Sequence, residues 1–147
     1  MASDIAIGDQ YLWVSNQRLR TLVEFVIEVA RDLERSPTED EYVDRLNNWI
    51  EHEYWSGQTF DLDERFPNVD EKKFWAKCFF DLGRKILLRE IGNLDADFWQ
   101  TGAIGEAYLT ARMLCFAIRK QTGDSWYPQT EDGKSDQAYF DRLNIQN

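Results

Sequence analysis

Apolar residues at Leu19, Leu22, Val23, Val26, Val29, Ala30 and Leu33 recur at steps of three and four. That spacing lays them along one face and predicts a helix over residues 15–35, with Ser15 as its N-cap. Ser36-Pro37 should stop it, because proline disfavours helical geometry in the residue before it. A second helix is expected from Thr38, which forms a capping-box pattern with Glu41. Its stripe continues through Tyr42, Leu46, Trp49 and Ile50 to a stop at Gly57. A third is expected over residues 70–91, capped by Asp70 and ended by Gly92-Asn93, with Phe74, Trp75, Cys78, Phe79, Leu82, Ile86 and Leu87 inward. A short turn with Phe98 and Trp99 follows.

The fourth helix, residues 101–121, is the least polar. Ala103, Ile104, Ala107, Tyr108, Ala111, Leu114, Cys115, Ala117 and Ile118 nearly surround it, which marks it as the most buried element. Residues 1–14, with Ile5, Ile7, Tyr11, Leu12, Trp13 and Val14, are expected to form an irregular or partly helical lead-in. Residues 57–69 are read as a loop, and a short helix is expected from Ser135. The expected fold class is all-α: a single-domain bundle of four main helices plus a short C-terminal helix over residues 1–147.

The 147 residues suit one core, and a hydrophobic share of 43% argues against disorder. Residues 1–14 carry no basic start followed by an apolar run, so no signal peptide is expected. No apolar run is long enough to span a bilayer. Cys78 and Cys115 both sit in apolar runs and read as buried thiols. Together these features suggest a cytoplasmic protein.

Charge changes the picture most. The formal net charge is −10. Residues 32–71 hold 13 acids and three bases, so the whole excess falls in this stretch and the remainder is neutral.

Candidate chemistry is sparse. His52 is the single histidine, too few for a helical di-metal site, and reads as a solvated residue between Glu51 and Glu53. Asp61 and Asp63 begin like a calcium loop, but Arg65 takes the third ligand position and Phe66 replaces the glycine. Gly102 and Gly105 open a helix without the rest of a phosphate-loop pattern, so close packing explains them better. Glu24 and Glu28 could pair on helix one, and Glu51 and Glu53 with Asp61. Magnesium chemistry would need such acids to converge in one cleft. Lys72, Lys73, Lys77, Arg84, Lys85 and Arg89 give helix three a basic side, read as pairing with neighbouring acids. No catalytic residues, metal or cofactor are expected.

The acidic stretch also carries aromatics that fit no helical stripe: Tyr54, Trp55 and Phe60. Large aromatics anchor interfaces, and surrounding charge steers the encounter. The expected partner-binding residues are therefore Glu51, Glu53, Tyr54, Trp55, Phe60, Asp61, Asp63 and Glu64. The function expected from them is that of a protein-binding inhibitor, in size and charge like an immunity protein or antitoxin. Its partner would be a basic protein such as a toxin or nuclease, with no direct contact to nucleic acid or membrane. Two alternatives stay open: a nucleic-acid mimic that occupies a DNA-binding protein, and a magnesium-dependent helical nucleotide hydrolase.

Overall fold

The first residues that depart from the helical expectation are those between Ala2 and Ser15. Ser3, Ile5 and Ile7 on one side of Gly8-Asp9, and Tyr11 and Trp13 on the other, alternate with period two rather than 3.6. In the computed structural model, which describes residues 2–87 and 103–128, they form strands β1 (Ala2–Ile7) and β2 (Gln10–Ser15) of a hairpin. The register pairs Ile7 with Gln10, leaving Gly8 and Asp9 as a two-residue loop. Such loops use turns with positive φ at the first central residue, and Gly8 supplies it with φ 57°. A third strand, β3 (Thr59–Asp61), joins β1 in parallel, giving the order β2-β1-β3. This three-stranded mixed sheet overturns the all-α expectation: the chain is α+β.

The chain divides into two compact units, Met1–Glu71 and Lys72–Asn147. The first holds the sheet, α1 (Asn16–Arg31), α2 (Pro37–Asn48) and the short α3 (Leu62–Arg65). Helix α4 (Val69–Leu87) begins in the first unit and continues into the second, which also holds α5 (Ala103–Thr122).

Ser15 caps α1 as expected, its hydroxyl accepting the Arg18 N–H at 3.2 Å. The helix ends at Arg31, four residues early. Arg35 folds back there, and its Nη1 donates to the carbonyls of Ala30, Arg31 and Leu33 while its Nε meets Asp40 at 2.7 Å. These carbonyls lie at the C-terminal end of the helix, so a cation beside them also complements the helix dipole.

Helix α2 is capped by Ser36 and Glu39, not by Thr38 and Glu41. The Ser36 hydroxyl accepts from the Glu39 N–H, and the Glu39 carboxylate accepts from the Ser36 N–H. Both frames satisfy the capping pattern. The observed one puts Pro37 inside the first turn, where its missing N–H costs nothing. At its far end α2 widens into a π-turn (Trp49–Glu53), closed by Tyr54 N–H to the Trp49 carbonyl at 2.8 Å.

Residues 57–69, expected to be a loop, contain β3 and α3. Asp61 Oδ1 accepts from the N–H groups of both Asp63 and Glu64 and so caps α3. Asn68, rather than Asp70, caps α4, accepting the Glu71 N–H at 2.7 Å.

The first unit's core is made by Ile5, Leu19, Leu22, Val23, Val26, Trp49, Phe60 and Leu62. Along α5, Leu114, Cys115 and Ile118 are buried as expected, with Ala107, Tyr108 and Ala111. Cys78 and Cys115 are buried thiols not joined in a disulfide. Lys72, placed on the basic outer side of its helix by the sequence pattern, is buried instead. No helix among the described residues is long and apolar enough to cross a membrane. The expected end of helix three at Ile91, the turn with Phe98 and Trp99, the start of helix four at Thr101 and the C-terminal helix lie outside the described residues.

Candidate functional site

Alternation along the three strands sorts their side chains to two faces. One face is the core side, where Leu12, Ile5 and Phe60 form one row across the sheet. The other carries two rows: Trp13–Asp4–Thr59 and Tyr11–Ala6–Asp61. Trp13 is 72% exposed and Tyr11 63% exposed, both on β2, which forms one edge of the sheet. The Thr59 hydroxyl donates to the Asp4 carboxylate at 2.6 Å and fixes that acid beside Trp13 in the cross-strand row. Asp61 lies in the same row as Tyr11 while its Oδ1 caps α3.

A second aromatic group meets the sheet at the Ser15 end of β2. Asn16 Oδ1 accepts from the Ser3 hydroxyl and from the Gly57 N–H at 3.1 Å. The Ser3 and Tyr54 hydroxyls lie 2.8 Å apart. These bonds fasten residues 54–57 to the start of α1. Trp55, in the turn closed by Gln58 N–H to its own carbonyl, projects outward with 66% of its surface exposed.

The sequence-derived residues therefore divide. Trp55, Glu51, Glu53, Asp63 and Glu64 are exposed. Tyr54 is half-buried: its ring lies 5.3 Å from that of Trp49, with the Arg20 guanidinium 5.5 Å from its centroid. Its contacts make it a latch for the turn. Phe60 is a correction. It is fully buried, stacked on Trp49 with centroids 5.2 Å apart and met edge-on by Phe66 at 5.8 Å. Phe60 cannot enter a partner's pocket. It sits at the centre of a strand whose side chains alternate, so Thr59 and Asp61 face out where Phe60 faces in.

Tyr11, Trp13 and Asp4 escaped the helical reading, although two residues of turn chemistry between alternating segments are a hairpin signal. Their unit also concentrates the charge. Met1–Glu71 contains 17 acidic and six basic residues, a net of −11, against +1 for the rest.

Glu51, Glu53, Asp61, Asp63 and Glu64 flank one aromatic cluster, because the π-turn that carries the first two begins at Trp49 and Phe60 of β3 stacks on it. They do not converge: no group of three or more His, Cys, Asp or Glu side chains that could hold a metal occurs among the described residues. A small cavity of about 110 Å³ in this unit is lined by Arg45, Trp49, Arg65 and Glu71 among others. Its cations are already matched, Arg45 to Glu71 at 3.1 Å and Arg65 to Glu64 at 2.8 Å. His52 is exposed, 3.9 Å from Glu51. No family model, curated protein or solved structure matches this chain.

Proposed function

We propose that this chain is a binding protein that neutralises a basic partner, in the manner of an immunity protein or antitoxin acting on a toxic enzyme. The observation that carries the reading is the exposure of Tyr11, Trp13 and Trp55 on the unit that holds a net charge of −11. Scattered exposed apolar residues are ordinary, but Tyr11 and Trp13 are two large aromatics side by side on one strand face, and Trp55 is a third exposed ring of the same unit. Aromatic anchors of this kind supply most of the binding energy of protein interfaces. Glu51, Glu53, Asp63 and Glu64, with Asp4 and Asp61, would attract a basic partner over distance and set its orientation. A cytoplasmic setting fits, since buried thiols such as Cys78 and Cys115 stay reduced there.

The nucleic-acid mimic would use the same charge. It has less need of exposed tryptophans than of a continuous acidic track, so the exposed aromatics favour the protein-binding reading.

The test is affinity capture with the full chain as bait, beside a Tyr11→Ser, Trp13→Ala bait of unchanged melting temperature. A basic enzyme held by the first, lost from the second and released by added salt is the expected result. Equal capture by both baits would overturn the proposed surface. Recovery of a DNA-binding protein displaced by duplex DNA would favour the mimic.

A further inference from the structure

Two arginines of the second unit line a cavity that the proposed inhibitory surface does not use. Arg112 and Arg119 are seven residues apart on α5 and so share one face, about 10 Å apart along the axis. Phe116 lies between them, 51% exposed, and residues 125–127 lie across from them. Together they line a half-open cavity of about 210 Å³, bounded by Arg112, Phe116, Arg119, Ser125, Trp126 and Tyr127, with Cys115 in its wall.

Four of the six arginines of the first unit, Arg20, Arg35, Arg45 and Arg65, each meet a carboxylate within 4 Å. Neither Arg112 nor Arg119 forms an ion pair with any described residue, and Asp124, the acid next to the cavity in sequence, meets neither. Arg119 near the end of α5 gains from the helix dipole. That accounts for one cation and not for Arg112, two turns back. A third cation, Lys73, lies 5.6 Å from the centroid of the Trp126 ring.

We propose that this cavity binds a small aromatic anion: a planar ring bearing one carboxylate or phosphate group. The guanidinium fork matches either group through paired N–H bonds. Phe116, Trp126 and Tyr127 provide faces for the ring, and the Ser125 hydroxyl provides a further donor. A cavity of roughly 150 Å³ accepts benzene, so 210 Å³ has room for a ring with one charged substituent.

Calorimetric titration of the full chain with phenyl phosphate and with benzoate tests this, beside inorganic phosphate, acetate and neutral benzamide. Saturable binding of either aromatic anion is expected, roughly tenfold or more tighter than any of the three controls. The stronger of the two identifies the charged group. Arg112→Gln and Arg119→Gln should each weaken it by a similar factor, and Trp126→Ala should bring its affinity down to that of the bare anion. Arg119 is exposed, so Arg119→Gln keeps the test valid even if another variant unfolds. No saturable binding, equal binding of inorganic phosphate or benzamide, or unchanged binding by Arg119→Gln would each overturn the proposal.

Discussion

The ring of Phe60 lies nearly parallel to that of Trp49, with centroids 5.2 Å apart and planes at 21°. Trp49 opens the π-turn after α2 and Phe60 is the middle of β3, so this stack joins helix to sheet. Phe60→Ala removes a fully buried ring and should cost about 3–5 kcal/mol by chemical denaturation. Trp55→Ala, five residues earlier on an exposed turn, should change stability by less than about 0.5 kcal/mol. Equal losses in the two variants would mean that Trp55 is packed and cannot serve as an anchor.

Gly83 of α4 faces Tyr108 of α5 so closely that a Cβ on the glycine would sit 2.7 Å from the ring. In an exposed helix, glycine to alanine gains up to about 1 kcal/mol. Here the Tyr108 ring is buried, and overpacking costs about 1–3 kcal/mol. Gly83→Ala should therefore lower the melting temperature. Gly105 has nothing within 4 Å of such a Cβ. Gly105→Ala, also within a helix, should raise the melting temperature or leave it unchanged.

The alkaline limb of stability should depend on Tyr42. Burial, then the carboxylates of Glu71 and Asp70, hold its phenol above the ordinary 10.0, with Arg45 opposing and Glu39 adding to the rise. The folded protein thus retains the phenolic proton to higher pH than the unfolded chain. The resulting stability is fully present below pH 10 and falls as pH rises from there towards the folded-state pKa. Tyr42→Phe should flatten the decline of unfolding free energy above pH 10. An unchanged slope would show that Tyr42 titrates alike in both states.

What the sequence made legible follows from the range of the interactions involved. Ser15 as a cap and the α1 stripe depend on neighbours within four residues, and both are found. The cap of α2 was ambiguous by two residues because Ser36-x-x-Glu39 and Thr38-x-x-Glu41 overlap; the role of Pro37 decides between them. The hairpin had a local signal in Gly8-Asp9 that the surrounding apolar residues obscured. Strand β3 had none: three residues long, it owes its state to a parallel pairing of Ile5 with Phe60 across 55 positions of sequence. The burial of Phe60 and the exposure of Tyr11 and Trp13 follow from that pairing, so an anchor assignment made without the sheet selects Phe60 and passes over Trp13.

If the sheet face and the Trp55 turn together form the binding surface, acids and aromatics there should affect different rate constants. Glu51, Glu53, Asp63 and Glu64 are exposed, so their attraction acts through solvent, where screening sets in within about 8 Å at physiological salt. A Glu51→Gln, Glu53→Gln, Asp63→Asn, Glu64→Gln variant should associate more slowly with a captured basic partner, lose most of its salt dependence and dissociate at nearly the original rate. Asp61 is left intact in that variant, because its cap on α3 would confound the result. Trp13→Ala should do the opposite. An anchor truncated to alanine costs on the order of 2 kcal/mol or more, and the loss appears mainly as faster dissociation. Stopped-flow kinetics on the two variants, with melting temperatures matched to wild type, separates the contributions. Unchanged kinetics in both would place the partner elsewhere on the molecule and leave the acidic unit a role in solubility alone.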